Sequence, residues 1–166
     1  LKKENDAFWN ANERRAKAER LGLTIPEVIT LASIVEEETN YQPEKSRVAG
    51  LYLNRLRKGI RLQSDPTVKF ALKDFALNRI LFEHLKVDDP YNTYKYAGLP
   101  PGPIRLPSVA TIDAVLNAEK HNYIYMCAHP DFNGTHNFAV TLAEHNRNAA
   151  KYHVALRKWL AEKKKK

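Results

Sequence analysis

Apolar positions near the start of the chain recur at helical spacing. Laid out at about 100° per residue, Ile25, Val28, Ile29, Leu31, Ala32, Ile34 and Val35 fill one broad arc. Thr24 and Glu27 have the spacing of a capping box and Pro26 suits a first turn, so the pattern predicts a helix beginning at Thr24. Asn40 to Pro43 break it, and PEKSRVAGLYLNRLRKG reads as a second helix from Pro43 to Gly59. RLQSDPTVKFAL predicts a short extended piece, a turn at Asp65-Pro66, then a helical turn or two. SVATIDAVLNAEK is another helix, and NYIYMCAHPDFNGTHNFAV reads as two strands about an Asn133-Gly134 turn. Thr141 and Glu144 cap a last helix, whose Leu142, Tyr152, Leu156, Trp159 and Leu160 can face a core. The charged, alanine-rich opening, residues 1–22, reads as an exposed lead-in helix. The sum is an α+β fold, mostly helical, with a small antiparallel hairpin at about residues 122–140.

Length supports one domain: 166 residues are enough to bury a core, and no repeat or low-complexity linker divides them. Residues 87–107 hold five of the nine prolines, but the segment is rich in tyrosine, which predicts an ordered loop. No run of ~18 apolar residues is present. The chain opens on Leu1, which suggests a fragment from which an anchoring or export segment has been cut. The single cysteine, Cys127, excludes an internal disulfide.

The net charge of +8 raises a nucleic-acid reading, but its distribution argues against one. Residues 151–166 carry seven Lys/Arg against Glu162 alone, leaving about +2 for the rest. A solvated, frayed end is the simplest reading of the Lys163–Lys166 run, and contact with an anionic surface is the other. Cys127, His129 and His136 lie within ten residues of one another but match no standard zinc spacing.

Three acids, Glu36 to Glu38, follow directly on the apolar run. On the wheel Glu37 faces water, Glu36 falls beside Ile25 and Ile29, and Glu38 falls between Leu31 and Ile34. Glu36 and Glu38 point about 160° apart, so they cannot flank one glycosidic bond as a carboxylate pair. Either can be a lone acid whose pKa an apolar wall raises, the other pairing with Arg47, Arg55 or Arg61; both can equally be ion-pair partners. Spacing alone leaves this open.

LASIVEEETNYQPEKSRVAGLYLNRLRKGIRLQSDPTV, YNTYKYAGLPPGPI and THNFAVTLAEHN, in this order, resemble the endolytic murein transglycosylases, the YceG-like family. The likeness spans about residues 27–155 and weakens between Lys69 and Asp89. It implies a lysozyme-like catalytic domain with the hairpin beside a cleft. The family's pattern of Glu, any residue, Glu and a hydroxyl residue falls on Glu36 to Thr39, which makes Glu38 the implied catalytic acid. Asn54, Gln63, Asp65, Tyr91, Asn92, Thr93, Tyr94, His136 and Phe138 are motif positions and so candidate glycan contacts. GLPPGPI, Gly98 to Ile104, is expected to be a rigid turn shaping the cleft rather than a contact surface, and His145-Asn146 to be structural.

The implied reaction cleaves the β-1,4 bond between N-acetylmuramic acid and N-acetylglucosamine without water, closing a 1,6-anhydro ring. One carboxyl suffices, because the nucleophile is the muramic 6-hydroxyl; no cofactor or metal is called for. The resemblance also implies peptidoglycan strands as substrate and peptidoglycan synthases (penicillin-binding proteins) as candidate partners. It places the catalytic domain outside the cytoplasmic (inner) membrane, on a single-pass N-terminal anchor. That anchor and a LysM-like region are expected ahead of this fragment, which would itself be soluble. A non-catalytic peptidoglycan-binding domain and a basic nucleic-acid-binding module are the competing readings.

Overall fold

The computed structural model describes every residue except Phe75, Asn78 and Lys166. Among the described residues seven α-helices occur in chain order: α1 (Lys2–Asn10), α2 (Arg14–Leu21), α3 (Ile25–Glu38), α4 (Lys45–Lys58), α5 (Asp65–Leu72), α6 (Val109–Leu116) and α7 (Leu142–Lys164). Between α6 and α7 lie the strands β1 (Tyr125–Ala128) and β2 (His136–Ala139), paired antiparallel. The expected mostly helical α+β architecture is therefore what the chain adopts.

The core forms where α3, α4 and α6 meet. Val28, Leu31, Ala32, Ile34 and Val35 of α3 are fully buried, with Val48, Ala49 and Leu51 of α4 and Val115 of α6 against them. Both halves of the capping box on α3 form: Glu27 N–H donates to Thr24 Oγ1 and Thr24 N–H donates to Glu27 Oε1. Gly59, at φ +69°, closes α4 in the left-handed conformation that glycine adopts without strain.

A second device holds the hairpin on α4. A Cβ at Gly50 would stand 2.4 Å from the Glu119 carbonyl oxygen, so only glycine admits the 119–123 segment so close. Asn54 Nδ2 then donates to the His121 and Tyr123 carbonyls at 2.8 and 2.9 Å. This anchors the chain just before β1.

Three expectations change. The opening residues are not one exposed helix: Asn12 and Glu13 both have positive φ, which kinks the chain, and Trp9 and Ala18 are buried. Arg14 fixes the pair of helices to α6 through a two-pronged bond to Asp113, at 2.9 and 3.1 Å. The hairpin is not a tight Asn133-Gly134 turn, because the last paired residues are Ala128 and His136 and the loop spans residues 129–135. α7 buries no residue; it packs on β1 and β2, while Leu142, Trp159 and Leu160 remain exposed. The Gly98–Ile104 turn, not expected to be a contact surface, supplies no lining residue to the groove that holds Glu38. That loop braces the far side of α3, where Ile104 N–H donates to Ser33 Oγ at 3.0 Å. Among the described residues no helix is long and apolar enough to cross a membrane.

Candidate active site

The last turn of α3 sends its three glutamates to three environments. Glu37 is exposed and pairs with Arg105 at 2.8 Å. Glu36 turns toward α6 and is enclosed by Lys45 Nζ, Thr111 Oγ1 and the Ser108 backbone N–H. Burial pushes its carboxyl up, but these hydrogen bonds outweigh burial and hold the pKa at about 2. Its cation is thus Lys45, not Arg47, Arg55 or Arg61. Arg47 pairs with Glu119, Arg55 donates to the Ile124 and Arg61 carbonyls, and Arg61 donates to the Lys95 carbonyl.

Glu38 points the other way, into a groove. Its Oε1 accepts from Tyr52 Oη at 2.6 Å and from Ser64 Oγ at 2.8 Å. Its Oε2 has no protein partner among the described residues and is not sealed from the groove. Burial raises the pKa of this carboxyl, Asp65 adds to the rise, and the two hydroxyls and His136 oppose it; the net direction is up. Tyr52 is held well above the usual phenol range, first by burial and then by Glu38, so it remains a donor. No guanidinium bonds Glu38 among the described residues.

The groove has two arms that share Glu38, Ala128 and His136. One, of about 550 Å³, is walled by α4, the 62–65 segment, Tyr94, β1 and the start of α7. The other, of about 580 Å³, runs between Tyr41 and the 128–136 hairpin loop, with Tyr152 at its wall. Glu38 therefore stands where the two arms meet.

Residues 62–65 show how the sequence builds the first wall. They alternate: Leu62 and Ser64 are buried while Gln63 and Asp65 face the groove. Gln63 has φ +51°, a costly conformation for a residue with a side chain, and it faces the trough. Ser64 is at the N-cap of α5, yet its side chain does not cap that helix because Oγ is committed to Glu38. Asp65 Oδ1 accepts from Tyr94 Oη at 2.6 Å, and burial followed by this bond raises the Tyr94 pKa.

Of the nine residues expected to contact glycan, the structure brings Gln63, Asp65, Tyr94 and His136 to the groove with Glu38. The other five lie elsewhere. Asn54 holds the 121–123 segment, as above. Asn92, at 0% exposure, donates both amide hydrogens to the Leu85 and Val87 carbonyls. Thr93 is buried, where its Oγ1 accepts from Ser64 N–H at 2.9 Å and so fixes the serine that holds Glu38. Tyr91 packs on Phe70, and Phe138 packs on Tyr123 beneath Arg47. None of these five lines either arm of the groove.

Sequence reasoning missed Tyr52 and Ser64, weighed Arg55 only as an ion-pair partner and read His145-Asn146 as structural; all five reach the site or its lining. Tyr52 did leave a signal: a phenol among Val48, Ala49, Leu51 and Leu53 needs a buried partner for its hydroxyl. His145 and Asn146 end the THNFAVTLAEHN block, but which face of α7 meets the groove depends on how the hairpin docks. Arg55, almost entirely buried, stands beside the Tyr125 ring. Burial lowers its pKa, and it has no carboxylate partner among the described residues.

A model of the YceG-like family matches residues 1–151. The chain belongs to the YceG-like family. Over 130 residues, 78% of its length, this YceG-like chain is 38% identical to an endolytic murein transglycosylase of Bacillus subtilis. It is 34% identical over 134 residues to one of Streptococcus pneumoniae. The match spans 35% of the first relative and 24% of the second. A crystal structure of a YceG-like protein from Listeria monocytogenes superposes with a TM-score of 0.75 at 37% identity, over 83% of this chain and 44% of that one.

Proposed function

We propose that this chain is the catalytic part of an endolytic murein transglycosylase, which cuts the N-acetylmuramic acid–β-1,4–N-acetylglucosamine bond of peptidoglycan strands without water. One observation carries the reading: the Glu38 carboxyl is raised in pKa by burial, with one oxygen held by two hydroxyls and the other open to the groove where its two arms meet. A groove whose arms meet at the acid accepts the interior of a strand, which suits endolytic cutting. The relatives, named as endolytic murein transglycosylases, support the substrate.

The steps follow from that geometry. Neutral Glu38 donates the Oε2 proton to the glycosidic oxygen, and the bond from muramic C1 to that oxygen breaks. Positive charge develops at C1 as the new carboxylate forms beside it, with the Tyr52 and Ser64 hydroxyls donating to Oε1. The 6-hydroxyl oxygen of the same sugar bonds to C1, and its proton passes to Glu38. Atoms balance with no water consumed, and the acid is restored. Intramolecular attack supplies the proximity that a water would lack.

Asp65 is the other carboxylate lining the first arm, which favours a hydrolytic two-carboxylate mechanism as the second reading. The 2.6 Å bond from Tyr94 to its Oδ1 argues for a wall-building role instead. Mass spectrometry of digested strands separates the two. Ends of 1,6-anhydromuramic acid support the transglycosylase; ends that have gained one water make the protein a muramidase. Within this reading, the whole protein is held at the outer face of the cytoplasmic membrane and limits the length of nascent strands beside peptidoglycan synthases.

A further inference from the structure

Behind Thr39 and His136, which line the second arm, lies a carboxylate that the reaction above does not use. Glu44 is 7% exposed, just before α4, and three donors converge on it. His136 N–H donates to its Oε1 at 2.7 Å, His136 Nδ1 lies 2.9 Å from its Oε2, and Thr39 Oγ1 donates to the same Oε2 at 3.0 Å. A carboxylate only accepts, so Nδ1 carries the proton and Nε2 holds the lone pair. Nε2 has no partner among the described residues, and His136 lines both arms beside Glu38. Thr39, the hydroxyl residue that follows Glu38, is buried and tied to Glu44, which couples the carboxyl-bearing turn of α3 to β2.

We propose that Glu44 is a positioning residue, fixing His136 in the Nδ1–H form so that its Nε2 accepts a hydrogen bond from a sugar hydroxyl or N-acetyl N–H next to the bond that Glu38 protonates. This rests on the transglycosylase reading. Glu44→Gln is nearly isosteric but reverses the pattern. The His136 backbone N–H keeps the amide oxygen at Oε1, so the NH2 group faces Nδ1 and the ring proton moves to Nε2. The acceptor offered to substrate becomes a donor.

The test combines 15N NMR of the His136 ring, followed across pH to the neutral form, with steady-state turnover of purified glycan strands. The unaltered protein is expected to show the Nδ1–H form and Glu44→Gln the Nε2–H form. Loss of such an outer partner costs about 10- to 100-fold at metal-ligating histidines, and a fall in kcat of that order is expected here with little change in KM. Combining Glu44→Gln with His136→Ala is expected to be no slower than His136→Ala alone, whereas a purely structural glutamate would give losses that multiply. An Nε2–H ring in the unaltered protein overturns the proposal even if the variant fails to fold. Undiminished kcat in folded Glu44→Gln overturns it as well. If the unaltered protein yields hydrated ends, the transglycosylase reading fails; anhydro ends with undiminished Glu44→Gln turnover remove Glu44's role alone.

Discussion

Glu36 and Glu38 are two residues apart on one helix turn, and the two sides of α3 treat them oppositely. On the α6 side, Lys45, Thr111 and Ser108 surround Glu36 and keep it ionised to a pKa of about 2. On the groove side, two neutral hydroxyls meet Glu38 with no cation, and burial raises its pKa. Both carboxyls accept hydrogen bonds from side-chain hydroxyls, so burial alone does not distinguish a structural acid from a reactive one. The partner's charge does.

The sharpest way to break this contrast is to neutralise each acid in turn. Glu38→Gln should lower turnover by about 10³-fold, the range for a lost general acid. Its stability should move the other way. A raised carboxyl pKa favours the folded state below the unfolded value of ~4.3, and that advantage is lost as pH rises, so the variant should gain on the unaltered protein toward neutral pH. Glu36→Gln should leave activity per folded molecule unchanged but cost about 3 kcal/mol, since Lys45 keeps its charge in a buried site. Here the lowered pKa supplies stability above ~4.3 that is lost as pH falls toward about 2, so denaturant midpoints of variant and parent should converge on acidification.

Smaller changes sharpen the picture on the groove side. Ser64→Ala removes one of two donors to Oε1, and turnover should fall about 10-fold, the equivalent of one hydrogen bond to a charged group. Asp65→Asn removes a negative neighbour that raises Glu38, so the alkaline limb of the pH–rate profile should move to lower pH with most of the peak rate retained. Loss of nearly all activity at every pH would instead favour hydrolysis.

Much of this was legible in the chain. The capping box, the Gly59 stop and the Thr141 cap are local rules, and each formed where the residues predicted it. The wheel placed Glu37 in solvent and narrowed the choice to two acids. It could not decide between them, because the deciding neighbours, Lys45 and Thr111 for one and Tyr52 and Ser64 for the other, arrive from distant segments. The same reason explains Asn54, Asn92 and Thr93. An amide or hydroxyl in a motif suits a sugar or a backbone carbonyl equally well, and only tertiary position reveals which it meets.

The account is most directly tested by titrating Glu38 and Glu36 together through their side-chain 13C carboxyl signals. It predicts a Glu38 midpoint above the ~4.3 of an unfolded glutamate and a Glu36 midpoint near 2. A Glu38 midpoint at or below that reference would mean an ionised carboxylate faces the groove, and the proton this mechanism requires would not be there to give.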